Sequence, residues 1–192
     1  MHQFIEQIYK LETCQDKTVI FLDRDGTLIK DVNYLYTTDQ IELLPGVIEG
    51  LKLLQKYNVV FIVITNQPVI AKGLATVGEV KKINDSLVDF LQKYDIIIHA
   101  IYSCPHHPNA NVAEYRMDCL CRKPNTAMFE KAIKTFFING DKTAMIGDSF
   151  RDINAAKHLA IPAYFIQGEM ISNDHFISKD FLSTAQMIID TI

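Results

Sequence analysis

The 192-residue sequence has no long apolar run, no excess of basic residues, no internal repeat and no low-complexity tract. No apolar stretch approaches the roughly 20 residues that a membrane-spanning helix needs. Segment 1–12 contains acidic residues and lacks the apolar core of a signal peptide. The net charge is -4, with both signs mixed along the chain, so no basic surface for nucleic acid or membrane is indicated. These absences predict a cytoplasmic protein that binds neither nucleic acid nor membrane.

Hydrophobic residues make up 48% of the chain and charged residues 22%, which is typical of a globular protein. The length suits one domain with a substantial core, and no linker-like segment divides it. We therefore predict a single domain over residues 1–192. Nothing in the sequence indicates assembly, and the default expectation is a monomer.

Short apolar runs alternate with segments of helical periodicity. Val19–Leu22 and Val59–Ile64 are continuous apolar runs, as expected for strands that are buried on both faces. The predicted strands are 19–22, 59–64, 96–102, 144–146 and 163–166. The predicted helices are 47–57, 77–93, 126–137, 152–159 and 180–192. This alternation predicts an α/β fold with three layers, in which a Rossmann-like parallel sheet lies between helices.

Polar side chains follow each of the first four predicted strands, where the strand ends. They are Asp23 and Asp25 after the first strand, Thr65, Asn66 and Gln67 after the second, a Cys/His-rich loop after the third, and Asp148 after the fourth. Ligands of open α/β sheets bind at the carboxyl ends of the strands. The sequence therefore predicts one site at this edge of the sheet.

The strongest short motif is the pair Asp23 and Asp25, followed by Gly26. Two carboxylates in one crevice repel each other, and a divalent cation such as Mg²⁺ relieves that repulsion. Asp23 can be the nucleophile of a phosphoryl transfer and Asp25 the acid and base, while Gly26 allows a sharp turn. A surface turn is the alternative explanation of this motif alone.

The loop after the third strand contains Cys104, His106, Cys119 and Cys121. Three thiolates and one imidazole form a closed, structural type of Zn²⁺ site. Two alternatives stay open: a disulfide in place of the metal, and His107 in place of His106. The remaining thiol, Cys14, is distant in sequence and is predicted to be an ordinary packed residue.

Together the motifs resemble those of haloacid dehalogenase-like (HAD) phosphatases. Asp23-Arg24-Asp25-Gly26-Thr27 matches the first motif of that family, Thr65-Asn66 the second, Lys123 the third, and Gly147-Asp148 with Asp152 the fourth. The resemblance implies a HAD-like fold, with the Cys/His loop stabilised by zinc and with no large cap domain. It implies an aspartyl-phosphate on Asp23 and phosphoryl contacts from Thr65 and Lys123. It also implies a Mg²⁺ site formed by Asp23, Asp25 and Asp148, with Asp152 in support.

Within that family the chain is most similar to the D,D-heptose 1,7-bisphosphate phosphatases. The long Cys/His loop and Asp31-Val32-Asn33-Tyr34 carry this resemblance. It implies a small phosphorylated metabolite as substrate, a sugar bisphosphate cleaved at C7. The implied substrate contacts are Asp31, Tyr34, Asn66, Gln67 and Arg122.

Three features depart from the heptose pattern: two single positions, and a segment before Lys17 that is longer than a minimal core needs. Val69 stands where a glycine is frequent, which is expected to limit backbone freedom, and Ser149 stands where some members carry a lysine. The alternative functions are a histidinol-phosphate phosphatase, a polynucleotide 3′-phosphatase and a catalytically silent zinc-stabilised binding module.

Overall fold

The computed structural model describes residues 4–166 and 176–191, in which seven strands form one sheet. The strands are β1 (Ile5–Ile8), β2 (Thr18–Leu22), β3 (Val59–Asn66), β4 (Ile98–Cys104), β5 (Thr143–Gly147), β6 (Ala163–Ile166) and β7 (Phe176–Ser178). Their order is β1-β4-β3-β2-β5-β6-β7. β1 pairs antiparallel with β4, and every other pairing is parallel. The predicted mostly parallel sheet is confirmed.

Helices cover both faces of the sheet. They are α1 (Val47–Leu54), α2 (Pro68–Ala71), α3 (Val77–Gln92), α4 (Ala127–Phe136), α5 (Phe150–His158) and α6 (Phe181–Ile189). Apolar residues of α1, α3 and α6 form one core with the sheet, and those of α4 and α5 form the other. The three-layer prediction is confirmed. The last residue of the predicted helix 180–192 lies outside the described residues.

Strand β2 shows why continuous apolar runs form the centre of this sheet. Ile20 and Leu22 belong to the core beneath α1 and α3, whereas Val19 and Phe21 belong to the core beneath α4 and α5. Because side chains alternate along a strand, a strand covered on both faces must be apolar at every position. Burying a large apolar side chain stabilises the fold by about 1.5–3 kcal/mol.

The strand order creates a crevice at the carboxyl end of β2. From β2 the chain builds β3 and β4 on one side, and then β5, β6 and β7 on the other. Such a reversal separates the loops that follow the two neighbouring strands, which opens a space for ligands. The loops after β2, β3 and β5 therefore meet around one cleft.

Two short strands and one short α-helix were not predicted. β1 is an edge strand of four residues, and its antiparallel partner lies far along the chain. β7 has only three residues. α2 is a single turn with Pro68 at its first position, and Val69 within it is buried. A helical turn needs no residue in the left-handed region, so Val69 fits here as well as a glycine would. The left-handed residue of this segment is Gly73, where φ is 75° and the chain turns.

No helix in the described part of the chain is both long and apolar enough to cross a bilayer.

Candidate active site

Three carboxylates converge at the carboxyl ends of β2 and β5. Asp23, Asp148 and Asp152 each place one oxygen within 4.8 Å of the other two. The backbone N–H of Asp23 donates to the carbonyl of Ile146 at 2.9 Å, which ties the end of β2 to β5. Three hard oxygen ligands at this spacing fit Mg²⁺.

The side chain of Asp25 lies outside that cluster, which differs from the predicted ligand set. Its carboxylate accepts hydrogen bonds from the Nε and Nη2 atoms of Arg24 at 3.1–3.2 Å. Arg24 is fully buried, and a buried guanidinium needs a carboxylate partner. Asp152, predicted only as support, lies in the cluster in place of Asp25.

Lys123 links two of the three clustered carboxylates. Its Nζ lies 2.8 Å from Asp23 Oδ1 and 2.5 Å from Asp152 Oδ1, and it donates to the carbonyl of Ile64 at 2.6 Å. The ammonium group is therefore hydrogen-bonded to one carbonyl and paired with two carboxylates. Burial of Lys123 disfavours its charge, but Asp152 and Asp23 outweigh this effect and raise its pKa.

Negative charge exceeds positive charge in this cluster. Burial, and then the neighbouring Asp152 and Asp148, raise the pKa of Asp23 to about 8 against the opposing effect of Lys123. Burial and Asp152 likewise raise the pKa of Asp148 to about 6. Because a divalent cation would stabilise the ionised carboxylates, the charge balance supports the same fit to Mg²⁺.

Two glycines allow this close packing. A Cβ atom at Gly26, where φ is 79°, would overlap the carboxylate of Asp148, and a Cβ at Gly147 would overlap the side chain of Asp152. The predicted sharp turn at Gly26 is confirmed. Gly26 has a second role, because the absence of a side chain leaves room for the carboxylate of Asp148.

Asp152 has a second function at the start of α5. Ser149 is the N-cap of this helix, and Asp152 is the third helical residue, whose Oδ2 accepts from the Ser149 N–H at 3.1 Å. The two residues form a capping box in which Ser149, and not Asp152, is the N-cap. This capping box turns the other oxygen of Asp152 toward Lys123.

Thr65 and Gln67 meet Asp25 at the end of β3. The side-chain amide of Gln67 donates to Asp25 Oδ2 at 2.6 Å and to Thr65 Oγ1 at 3.0 Å. Both side chains are buried. Both amide protons of Gln67, which was predicted to contact substrate, are thus used within the protein.

Asn66 connects the end of β3 to the Cys/His loop. Its Oδ1 accepts from the Lys123 backbone N–H at 3.0 Å, and its Nδ2 donates to the Lys123 carbonyl at 3.1 Å. This two-sided contact fixes the backbone from which the Lys123 side chain extends. Asn66 therefore positions the lysine, in addition to lining the cleft.

The cleft above the carboxylates has a volume of about 280 Å³. It is lined by Asp23, Asp25, Asp31, Asn33, Tyr34, Leu35, Thr65, Asn66, Gln67, Pro68, Val69, His107, Arg122, Lys123, Asp148, Arg151 and Asp152. Every predicted catalytic and substrate-contacting residue is among them. Asp31 also accepts a hydrogen bond from the backbone N–H of Asn33 at 2.8 Å, which shapes the loop that carries Tyr34.

Two arginines line the cleft and have no carboxylate partner among the described residues. Arg122 donates to the carbonyl of His106 at 3.1 Å, and Arg151 donates to Ser149 Oγ at 3.2 Å. Neither forms an ion pair with any acidic residue in the described ranges. Burial, together with the charge of Arg151, lowers the pKa of Arg122. Such a pair of cations suits an anionic ligand.

The Cys/His loop brings its four predicted ligands together. Sγ of Cys121 lies 3.1 Å from Sγ of Cys104, 3.3 Å from Sγ of Cys119 and 3.2 Å from Nδ1 of His106. Sulfur atoms bound tetrahedrally at about 2.3 Å from zinc would be roughly 3.7 Å apart. Small outward movements of the cysteine side chains would therefore make room for the ion. A disulfide needs sulfurs about 2.05 Å apart, and all the cysteines are free.

The loop thiols are close enough to shift the pKa values of one another. Hydrogen bonds from Cys104 and Cys121 lower the pKa of Cys119, whereas the hydrogen bond to Cys119 raises that of Cys104. Three thiols this close share their protons, and a zinc ion would replace those protons. His107 lies apart from the cluster and lines the cleft, which argues against the alternative ligand. Cys14 is buried and separate, as predicted.

Comparison with known proteins identifies the family. The family model of the haloacid dehalogenase-like hydrolases matches residues 31–159. The chain belongs to the haloacid dehalogenase-like hydrolases. The predicted HAD-like fold is thereby confirmed.

Relatives of this HAD-like hydrolase carry heptose phosphatase names. The D-glycero-β-D-manno-heptose-1,7-bisphosphate 7-phosphatase of Escherichia coli O6:H1 is 38% identical over 137 residues, which cover 71% of this chain and 72% of that enzyme. The D-glycero-α-D-manno-heptose-1,7-bisphosphate 7-phosphatase of Photorhabdus laumondii is 36% identical over 148 residues, which cover 77% and 81%.

Solved structures agree on the fold. The D,D-heptose 1,7-bisphosphate phosphatase of B. bronchiseptica, complexed with magnesium and phosphate, superposes with a TM-score of 0.79 at 24% identity, covering 91% of this chain and 99% of that one. The corresponding protein of Burkholderia thailandensis gives 0.65 at 18% identity, covering 90% and 99%.

Sequence reasoning about this HAD-like hydrolase overlooked Arg151 and undervalued His107. An exposed arginine at the start of a predicted helix is normally a solvated charge, and His107 was considered only as a zinc ligand. The available signal was position, because Arg151 lies between Asp148 and Asp152, two residues of the fourth motif.

Proposed function

We propose that this HAD-like hydrolase is a phosphatase that removes the C7 phosphate of D-glycero-D-manno-heptose 1,7-bisphosphate. The observation that carries the proposal is the contact between Asp23 Oδ1 and Lys123 Nζ, 2.8 Å apart at the floor of a small cleft with Asp148 beside them. A nucleophile, a cation and a metal-ligating carboxylate are what phosphoryl transfer requires. The names of the relatives supply the substrate.

Asp23 is the nucleophile in this proposal. Its Oδ1 accepts from the Arg24 N–H at 2.7 Å and from Lys123, which fixes the carboxylate. Among the described residues no donor binds Oδ2, so that oxygen keeps its lone pairs for phosphorus. The new Oδ2–P bond forms as the bond from phosphorus to the sugar oxygen breaks. The product is an aspartyl-phosphate and a sugar oxygen that needs a proton.

Asp25 supplies that proton and later takes one back. Its carboxyl group lines the cleft and is held by Arg24 and by Gln67. In the first step it protonates the leaving sugar oxygen. In the second it accepts a proton from the water that attacks the aspartyl-phosphate, which releases inorganic phosphate and restores Asp23.

Lys123 and Thr65 stabilise the transferring phosphoryl group. The lysine is already charged and fixed before substrate arrives, so little reorganisation is needed. Asp23, Asp148 and Asp152 would hold Mg²⁺. When bound, this ion supplies positive charge that neutralises the carboxylates and the phosphoryl oxygens.

The second phosphate of the substrate belongs at the rim of the cleft. Arg122 and Arg151, which lack carboxylate partners in the described structure, can each bind a phosphate oxygen pair. Asp31 and Tyr34, on the loop after β2, also line the cleft and would contact the sugar hydroxyl groups. A volume of about 280 Å³ suits a small metabolite.

The Cys/His cluster would hold a structural zinc ion. Four protein ligands leave no open coordination position for a water molecule. The metal would stiffen the loop that delivers Arg122 and Lys123 to the cleft.

The test is a comparison of kcat/KM over a panel of phosphate esters with added Mg²⁺. The panel holds both heptose bisphosphate anomers, histidinol phosphate and a 3′-phosphorylated oligonucleotide. We expect one heptose anomer to be preferred, and Asp23→Asn to abolish phosphate release while the thermal unfolding midpoint is retained. Preference for histidinol phosphate or the oligonucleotide would overturn the substrate, and full activity of the Asp23 variant would overturn the nucleophile. Absence of phosphate release from any ester would favour a silent binding module.

A further inference from the structure

A fully buried arginine stands behind Asp25. Arg24 heads the fully buried large side chains among the residues that the structure describes, and its guanidinium has two sets of partners. Nε and Nη2 donate to Asp25, and Nη1 donates to Oδ1 of Asn84 at 2.8 Å. A buried charge is tolerated only where its donors are satisfied. Asn84 is therefore part of what keeps this guanidinium in place.

Asn84 is itself held from two strands. It lies in the middle of α3 and is fully buried. Its Nδ2 donates to Gln7 Oε1 on β1 at 2.9 Å and to Ser103 Oγ on β4 at 3.2 Å. Because both amide protons have acceptors, the amide oxygen has to face Arg24. The orientation of Asn84 is thus fixed by the surrounding network.

The apolar pattern of α3 does not account for this residue. The other buried residues of the helix are apolar: Val80, Ile83, Leu87, Val88 and Leu91. An asparagine is a weak helix former and is costly to bury, so it contradicts the local pattern. Positions where local rules fail in natural proteins are frequently functional.

Asp25 needs such support because it is less enclosed than its partners. Its side chain is 22% exposed and lines the cleft, whereas the Arg24 side chain has no exposure. A general acid must hold its proton within hydrogen-bond reach of the leaving oxygen. A guanidinium that can move would let the carboxyl group move with it.

We propose that Asn84 is a positioning residue, which fixes the guanidinium of Arg24 and through it holds the carboxyl group of Asp25 at the leaving-group oxygen. This role rests on the proposed phosphatase function and on Asp25 as its general acid. Asn84 does not line the cleft and touches no reacting atom. It acts at a distance, through one hydrogen bond.

Leaving-group dependence distinguishes positioning from general structural support. A sugar alkoxide is a poor leaving group that needs a proton, whereas p-nitrophenolate leaves without one. General acid catalysis contributes about 10²–10⁴-fold to rates. Displacement of the acid should therefore slow the sugar phosphate far more than p-nitrophenyl phosphate. Damage to the fold would slow both substrates equally.

The experiment measures kcat and KM of Asn84→Ala with the preferred heptose bisphosphate and with p-nitrophenyl phosphate. We expect the ratio of kcat for the heptose bisphosphate to kcat for p-nitrophenyl phosphate to fall about tenfold or more, with both KM values little changed. Asn84→Asp keeps an oxygen acceptor for Nη1 of Arg24 and should recover much of the ratio. Gln7 is half-buried, and Gln7→Ala removes one acceptor of the Asn84 amide. This variant should lower the kcat ratio less than Asn84→Ala does.

Val88→Ala is the matched control, since Val88 is buried one turn further along the same helix and its side chain has no polar atom that could hold Arg24. Its ratio should equal that of the wild type even if its unfolding midpoint falls. Equal losses on both substrates in Asn84→Ala, or no loss, would overturn the positioning role. If Asn84→Ala does not fold, an unchanged ratio in Gln7→Ala overturns it. Failure of the proposed function itself would appear earlier, as a wild type that hydrolyses neither substrate.

Discussion

At the scale of the residue, the charge balance of the cleft is set by how each ionisable group is paired. Lys123 pairs with both Asp23 and Asp152, and Arg24 pairs with Asp25. No acidic residue in the described ranges pairs with Arg122 or Arg151. Asp23, Asp148 and Asp152 would then bind metal, and the two arginines would bind the part of the substrate that does not react.

Arg151 offers a test of this division. Arg151→Met should raise KM for the heptose bisphosphate about five- to thirtyfold with little change in kcat, because an exposed charge-assisted contact contributes roughly 1–2 kcal/mol. KM for a sugar monophosphate should be nearly unchanged. Steady-state kinetics on both substrates measure the difference.

Lys157→Met removes the same charge from the same helix, outside the residues that line the cleft, and serves as the control. Equal increases of KM for the sugar monophosphate and the heptose bisphosphate in Arg151→Met would show that Arg151 does not bind the second phosphate.

At the scale of the element, the loop between β4 and α4 has almost no apolar core of its own. Its described stretch of regular structure is one short 3₁₀ turn over Ala113–Tyr115. The three cysteines and His106 hold the two ends of the loop together, and Asn66 fixes the Lys123 backbone to β3. A loop built this way depends on its cross-links for order.

Loss of one ligand should therefore release the metal and weaken the fold. We expect one zinc ion per wild-type chain by elemental analysis after dialysis. Cys121→Ser should hold well under one, and its free energy of unfolding should fall by about 3 kcal/mol or more, which is roughly 6–12 °C for a chain of this size.

Cys14→Ser changes a buried thiol that is separate from the cluster, and it should keep its zinc. The zinc assignment would be refuted if the wild type bound no zinc, or if Cys121→Ser and Cys14→Ser behaved alike.

At the scale of the whole molecule, the last helix completes one layer of the fold by packing against the first. α6 follows β7 at the far edge of the sheet and lies against α1, where Phe181 faces Gly50. A Cβ at Gly50 would lie 2.6 Å from Cδ1 of Phe181. The glycine thus permits close contact between two helices far apart in sequence.

Gly50→Ala should destabilise the protein even though alanine is the better helix former. Overpacking costs about 1–3 kcal/mol, and it outweighs a gain in helix propensity of about 1 kcal/mol or less at this site. The unfolding midpoint should fall by several degrees.

Gly78→Ala, near the start of α3, meets only Thr76 Oγ1 at 3.8 Å, and it should raise the midpoint slightly. If both variants moved the midpoint in the same direction, the close contact between α1 and α6 would not limit stability.

The cytoplasmic location, the single domain, the monomeric state and the absence of nucleic-acid or membrane partners stay predictions. They rest on composition and charge, which describe the chain as a whole. Size-exclusion chromatography with light scattering would measure the state of assembly.

The sequence by itself determined the central strands, the long helices and the carboxyl-end position of the polar motifs. These features depend on local periodicity, since a strand buried on both faces is apolar throughout and a surface helix repeats every 3.6 residues. Asp23 and Asp148 were located at the ends of predicted strands, the metal role of Asp148 was implied by the family resemblance, and the four Cys/His residues were recognised by their residue types; the structure brings each set together.

Only the tertiary structure decided which carboxylates share the cluster and which residues support them. Asp152 lies in the cluster where the Asp25 side chain was expected, and the Asp25 carboxylate instead pairs with the guanidinium of Arg24, which Asn84 contacts from a distant helix. β1 pairs with a strand more than 90 residues later in the chain, and no local pattern specifies such a partner. The physical reason is the same in each case: these contacts join residues that are remote in sequence, so they exist only once the sheet order has brought them together.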